Sequence, residues 1–307
     1  MNILFLGYSN LVKKRVLSVI QKHRIEYSIA SKSTKEKIIG AAKQFSSYEK
    51  ALKESNANIV YISLPNSLHY FWAKKALMLG YNVIIDKPIS YKVSETKDLI
   101  KIAKQKKRLL SEAIFYNYHK QIKQAILLAG GIKKIDNVQV NFIIPKPKKN
   151  SLLASKKFKG GVIMDMGPYA SSVNRIFFNE KIVSKKIIVQ RNSSNLPVSI
   201  NLLVKYKTKF FSGFFKFGGE YINEVMIFTK NKNIKISRVF SPPSNLPLYL
   251  KINKTNKEKT ILVGKDNCFE NYLIELNKKL KKNEYSYYFD RIEKDHLFRN
   301  YIEKNNK

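Results

Sequence analysis

Residues 59–88 read IVYISLPNSLHYFWAKKALMLGYNVIIDKP. An apolar, β-branched run at 59–63 is followed by turn residues, then by a helical pattern over 69–79, then by a second apolar run at 83–85. Short β-branched runs bounded by turn residues are the signature of buried strands, and a longer stretch of mixed character between two of them is a crossover helix. Strand, helix and strand in that order form a βαβ unit, which sets its two strands parallel.

The same alternation extends to both sides. Upstream lie a strand at 3–6, a helix at 12–23 with apolar positions at Val16, Leu17 and Ile20, a strand at 25–30 and a helix expected at 35–43. Downstream come a helix at 94–106 and a short strand at 109–113. Five strands with intervening helices predict an α/β fold, a Rossmann-type doubly wound parallel sheet. After residue 120 the pattern changes. A helix at 121–129 and a Gly130-Gly131 turn lead to alternating runs at 138–144, 187–190, 199–206, 210–217, 225–229 and 234–237. Few helices separate them, so an α+β half with a large, mostly antiparallel sheet is expected. A helix at 161–178 interrupts it early, helices at 268–280 and 289–303 close the chain, and PKPKKNS at 145–151 reads as a loop.

Composition narrows the function classes. The 307 residues are 44% hydrophobic and 26% charged, close to a globular average. Lys and Arg number 58 against 22 Asp and Glu, a net charge of +36. Such an excess raises nucleic acid or an anionic membrane as a partner. The excess is almost all Lys, whereas base and phosphate readers favour the bidentate Arg fork. It is also spread along the chain among Asn and Ile, as in KEKII at 35–39 and KNKNI at 230–234. It therefore reads as background composition, and no nucleic-acid partner is expected. The single cysteine, Cys268, excludes an intramolecular disulfide and a multi-cysteine metal site. No run of about 18 apolar residues and no signal-peptide pattern is present, so the expectation is a cytoplasmic protein without a membrane partner or a metal.

The first strand ends at Gly7, followed by Tyr8-Ser9-Asn10-Leu11-Val12 and a helix. A dinucleotide fold keeps its G-x-G-x-x-G turn here, where backbone N–H groups and the helix N-terminus reach a pyrophosphate. Only Gly7 of the three glycines is present, with Ser9 and Val12 in the other two places, so a plain tight turn is the alternative to a phosphate loop made by Gly7, Ser9, Asn10 and Leu11. The second strand ends in Ser31-Lys32-Ser33, where NAD enzymes usually carry an acid for the ribose 2′-OH. A Lys32 flanked by hydroxyls suits a 2′-phosphate, which favours NADP, with NAD as the alternative. One more solvated lysine in a Lys-rich chain is the competing explanation.

From residue 60 to 88 the sequence resembles the Gfo/Idh/MocA family of NAD(P)-dependent oxidoreductases. Leu64-Pro65-Asn66 with His69 matches its T-P-N-x-x-H turn, and Asp86-Lys87-Pro88 its E-K-P tripeptide with Asp for Glu. EAIFYNYH at 112–119 is similar to the E-A-F-M-Y-R-x-H of the glucose–fructose oxidoreductase and dihydrodiol dehydrogenase branch, with Asn117 for Arg. GGVIMDMGPY at 160–169 resembles the G-G-x-L-x-D-x-G-x-[HY] helix start, Tyr169 taking that branch's variant and Ser172 standing where the His-type enzymes often keep Asp. The stretch from Tyr221-Ile222-Asn223 through Pro243 is similar to members found with nucleotide-sugar pathways.

The resemblance implies a dinucleotide-binding domain over 1–119, a substrate and oligomerisation domain over 120–307, and a homo-oligomer. It implies hydride transfer to or from a carbonyl or hydroxyl carbon of a sugar or nucleotide-linked sugar, and it makes Lys87 the catalytic lysine. Pro88 restricts Lys87 to an extended backbone, and an ammonium there can stabilise alkoxide charge. Tyr169 becomes the general acid of ketone reduction, its ordinary pKa near 10 lowered by a neighbouring ammonium. Asp165, four residues before it on one helix face, either orients substrate hydroxyls or complements the helix dipole. Leu64, Pro65, Asn66, His69, Asp86 and Lys87 are the implied cofactor contacts. The different-class alternative is a non-catalytic dinucleotide-binding sensor, favoured by the single-glycine loop and disfavoured by the complete Lys87, Asp165 and Tyr169 set.

Overall fold

The computed structural model describes residues 1–304 except 35, 157, 159 and 256. The chain divides into two compact units, Met1–Ala113 with Tyr272–Glu293, and Ile114–Asn271 with the remaining tail.

In the first unit the largely buried strands Asn2–Leu6 (β1), Glu26–Ala30 (β2), Ile59–Ile62 (β4), Asn82–Asp86 (β5) and Leu110–Ala113 (β6) pair in parallel, joined by the short Gln44–Phe45 (β3). The order is β3-β2-β1-β4-β5-β6. The chain reverses direction across the sheet between β1 and β4, the switch point where doubly wound sheets bind ligands at their carboxyl ends. The expected five strands are six. Crossovers are Leu17–Lys22 (α1), which continues a π-helical turn at Val12–Val16, then Tyr48–Glu54 (α2), His69–Met78 (α3) and Val93–Lys106 (α4). Their apolar faces bury Trp72, Ala76, Leu99 and Ala103 against Leu4, Val60, Ile62 and Ile85, and Phe289 and Ile292 join that core.

The helix expected over 35–43 does not form in its described residues; Lys35 lies outside them. The reason is tertiary. Backbone bonds Ala42 N–H to Tyr27 O (2.8 Å) and Ile29 N–H to Lys43 O (3.0 Å) tie the segment along β2. The Tyr27 hydroxyl donates to Ile39 O at 3.0 Å, and the Gln44 side chain bonds Ile38 N–H and Glu36 O. Propensity over nine residues is a weak prior against such anchoring. The helix instead begins at Tyr48, where the Ser47 side chain caps the Lys50 N–H at 3.3 Å.

The second unit carries an eight-stranded sheet in the order β14-β13-β12-β11-β7-β10-β9-β8. Its strands are Ile135–Ile144 (β7), Ile182–Arg191 (β8), Pro197–Tyr206 (β9), Phe210–Phe217 (β10), Ile222–Thr229 (β11), Lys232–Ser237 (β12), Leu248–Lys254 (β13) and Lys257–Gly264 (β14). All pairs are antiparallel except β7 with β10. Strict alternation, as in β9, places Ile200, Leu202, Val204 and Tyr206 inside. They pack with Val140, Phe211, Phe215 and Val225, under Lys120–Leu128 (α5) and Val162–Phe177 (α6). β13 and β14 were not expected, because lysines and polar residues occupy the solvent-facing positions and dilute their apolar runs. The chain closes with Cys268–Lys282 (α7) and Ser286–Lys304 (α8). Residues 272–293 belong to the first unit rather than to a single domain over 120–307. Tyr272 is fully buried there, its hydroxyl donating to Ser111 Oγ at 2.9 Å.

Candidate active site

The turn after β1 is built on one glycine. Gly7 has φ of +99°, and a Cβ there would fall 2.1 Å from the Ser63 carbonyl oxygen. Its N–H donates to Ala30 O at 2.8 Å. Gly7→Ala is therefore expected to lower stability by roughly 1–3 kcal/mol through overpacking alone, read as a shift of the urea midpoint.

Ser9, in the second glycine place, has its own work. Its hydroxyl oxygen accepts Val12 N–H at 3.3 Å and lies 2.7 Å from Ser63 Oγ. Ser63 donates to Asp86 Oδ2 (2.5 Å) and Tyr61 donates to Asp86 Oδ1 (2.6 Å). Since the Ser63 proton goes to the carboxylate, Ser9 is the donor to Ser63. One chain of hydroxyls thus runs from the loop after β1 to the end of β5. Burial pushes the Asp86 pKa up, and the two donated protons and the charges of His69 and Lys87 oppose that rise. Asn10 is exposed and Leu11 half-buried at the helix start.

The backbone on both sides of Lys87 is pinned. Its own side chain is half-buried at the carboxyl end of β5. Asp86 is held by Tyr61 and Ser63, Pro88 O lies 2.8 Å from His69 Nδ1, and Ile89 N–H donates to Glu112 Oε1 at 2.8 Å. His69 Nε2 reaches Leu64 O, also at 2.8 Å. His69 is fully buried with both ring nitrogens facing carbonyl oxygens. Burial lowers its pKa. This differs from the expected cofactor contact: the ring lies between the Leu64-Pro65-Asn66 turn and the segment after Lys87 and, when neutral, donates its single N–H to one of the two carbonyl oxygens. Leu64, Pro65 and Asn66 are half-buried around a single 3₁₀ turn closed by Leu68 N–H to Pro65 O at 2.8 Å. Tyr61, Ser63 and Glu112 escaped sequence reasoning as positioning residues. Their spacing carries no signal, and only Glu112 sat in a motif.

At the end of β2, Lys32 and Ser33 are exposed, with the Lys32 ammonium 5.2 Å from the Tyr48 ring centroid. Ser31 differs from expectation. It is buried, and its hydroxyl donates to Thr34 Oγ1 (2.9 Å) and accepts Thr34 N–H (3.2 Å), closing the turn.

In the second unit α6 starts where two glycines admit close backbone packing. A Cβ on Gly160 would lie 2.4 Å from Leu153 O. Asp165 and Tyr169, both half-buried, stand one turn apart on α6. The Tyr169 ring is surrounded by Phe240 (centroids 4.9 Å apart), Phe142 (5.5 Å) and Tyr116 (5.9 Å). Ser172 donates to Tyr169 O at 3.0 Å and accepts from the buried Tyr116 hydroxyl at 2.7 Å. Arg175, one turn further, is paired through Nε and Nη2 with Asp295 at 2.8 and 3.0 Å, so the helix is anchored beyond Tyr169. Gly7, Ser9, Asp86 and Lys87 thus gather at one sheet edge of the first unit, and Asp165 and Tyr169 on one helix of the second. Among the described residues, no three His, Cys, Asp or Glu side chains are grouped to hold a metal, and no helix is long and apolar enough to cross a membrane.

The model of an oxidoreductase family with an NAD-binding Rossmann fold, GFO_IDH_MocA, matches residues 1–114. The chain is 29% identical over 180 residues to D-xylose 1-dehydrogenase (NADP(+)) 2 of Haloferax volcanii, covering 56% of this chain and 55% of that protein. It is 22% identical over 273 residues to the dTDP-3,4-didehydro-2,6-dideoxy-alpha-D-glucose 3-reductase of Streptomyces violaceoruber, covering 85% and 80%. The chain thus spans about half the length of the first of these relatives and four fifths of the second. Its fold is that of a 3-ketoreductase from Actinomadura kijaniata crystallised with NADP and TDP-benzene, at a TM-score of 0.91 and 18% identity over 100% of this chain and 98% of that one. The same reductase is known as a tyrosine-to-phenylalanine and a lysine-to-alanine variant, at TM-scores of 0.90 and 0.87.

Proposed function

We propose, from the premise that this chain belongs through its first 114 residues to the Gfo/Idh/MocA family of oxidoreductases, that it is an NADP-dependent oxidoreductase acting on a carbonyl or hydroxyl carbon of a sugar, specifically a sugar carried on a nucleotide. The observation that carries the reading is the gathering of the Gly7 turn and Lys87 at the carboxyl edge of one parallel sheet, beside its switch point. Two dTDP-sugar and NADP-linked relatives support the substrate and cofactor classes.

The residues present suit NADP: the end of β2 offers exposed Lys32 and Ser33, and no acid stands at 31–34 to repel a 2′-phosphate. NADPH supplies the hydride when bound. Lys87 holds the substrate oxygen and stabilises the charge that develops on it. Tyr169 supplies the phenolic proton of reduction and takes it back in oxidation. Asp165 accepts hydrogen bonds from neighbouring sugar hydroxyls. The first unit serves the dinucleotide, the second the sugar and self-association into a homo-oligomer, and the protein works in the cytoplasm.

The test is NADPH oxidation with a panel of ketosugars and nucleotide-linked ketosugars. Turnover of a nucleotide-linked ketosugar is expected, and absence of turnover despite tight NADPH binding would return the chain to the sensor class. In the same assay, Lys32→Glu should raise the Kd for NADPH by roughly tenfold or more, the value of a lost charge-assisted hydrogen bond, and leave that for NADH much less changed. Equal effects on both cofactors would remove Lys32 from 2′-phosphate recognition.

A further inference from the structure

The segments at 221–223 and 238–243 meet on Asn223. Asn223 is buried, its carbonyl accepts Arg238 N–H at 2.6 Å and its Oδ1 accepts Phe240 N–H at 3.0 Å. Its Nδ2 donates to the Tyr221 hydroxyl and to Ser241 Oγ, both at 2.9 Å. Those two hydroxyls lie 2.8 Å from each other. Proton counting then leaves a donor over. The pair owns two hydroxyl protons, and one bond between them consumes only one. With the amide already donating to both oxygens, the second proton can go only outward, and Tyr221 is 45% exposed.

The cluster is also tied to the reactive helix. Phe240, whose N–H is held by Asn223, has its ring 4.9 Å from that of Tyr169. Arg238 is exposed and takes a left-handed backbone, φ 54°, which a non-glycine residue keeps only when its surroundings hold it there, as the bond to Asn223 does. An outward hydroxyl donor close in the chain to an exposed guanidinium, beside the ring neighbour of the proposed acid, suits a non-reacting anionic oxygen of the substrate.

We propose that Tyr221, Ser241 and Arg238, positioned by Asn223, form the subsite for the diphosphate of the nucleotide-linked sugar. The inference rests on the function proposed above and names how its substrate is recognised. The hydroxyl pair donates to a phosphoryl oxygen and Arg238 balances its charge.

The experiment titrates dTDP and UDP into the full chain with NADP⁺ present, and NADPH fluorescence is followed separately. Tyr221→Phe and Ser241→Ala keep the carbon framework and remove the hydroxyls, both as outward donors and as acceptors of the Asn223 amide. Each is expected to raise the Kd for nucleoside diphosphate about tenfold, as is Arg238→Ala, with NADPH affinity unchanged; the two hydroxyl variants also lower Tm, because each strips the buried Asn223 amide of one acceptor. Wild-type affinity for both nucleotides in the Tyr221→Phe, Ser241→Ala double variant would overturn the subsite, as would a wild-type protein that binds neither. Either result obtained while NADPH still binds and a free ketosugar is still reduced overturns the subsite alone. Loss of NADPH binding in the wild type would instead strike the proposed function.

Discussion

Lys87→Ala is expected to lower kcat by about 10²–10³-fold, the cost of deleting one preorganised donor to a developing oxyanion. NADPH binding should persist, because the Gly7 turn, the helix start after it and Lys32 are untouched. The surroundings make this a clean deletion. Asp86, Pro88 and Ile89 are held by Tyr61, Ser63, His69 and Glu112 through bonds that involve none of the lysine's own atoms. The backbone therefore stays in place when the side chain is shortened. Single-turnover kinetics with NADPH and ketosugar reads the effect on the chemical step. A kcat within a fewfold of wild type would remove Lys87 from the catalytic set.

Tyr169→Phe is expected to cost about 10²–10⁴-fold in kcat, the usual contribution of a positioned acid or base. The ring remains at home, since its neighbours are the rings of Phe142, Phe240 and Tyr116 and its carbonyl is bonded by Ser172. Stability should change little, and any loss of rate then reports the missing proton. Loss of the pH dependence of kcat that belongs to the acid would accompany it. An unaltered profile and rate would assign proton transfer elsewhere.

The Asp86 network bears on how a loop with one glycine can still serve a dinucleotide. In a three-glycine loop the second glycine lets the backbone approach the pyrophosphate. Here Ser9 caps the helix start through its hydroxyl and hands its proton to Ser63, which in turn bonds Asp86 beside Lys87. The extra side chain thus joins the loop to the strand that bears the lysine.

Much of this was legible in the chain itself. Short apolar runs at 3–6, 59–63 and 83–85, bounded by turn residues, declare buried strands, and the helices between them make the sheet parallel. The motif residues Gly7, Lys87, Asp165 and Tyr169 could be named because each needs a specific chemistry or backbone conformation at one place. What local pattern could not decide was set by distant partners. The 36–43 segment follows β2 because Tyr27 and Gln44 capture its backbone, against its helical composition. β13 and β14 pair because β12 offers an edge, although their outward lysines hide the alternation. Tyr272 and Phe289 bury in the first unit, since the apolar residues of a helix do not record which core they will cover. His69 illustrates the same limit within a motif: its spacing marked it, but only the fold aims both nitrogens at carbonyls from two different segments. Sequence by itself determined the fold class and singled out the groups proposed to react, because these readings follow from side-chain chemistry, motif and short-range periodicity. Tertiary structure alone decided which side chains hold others in place, because a hydrogen-bond partner 20 or more residues away is chosen by proximity in space, which no local pattern encodes.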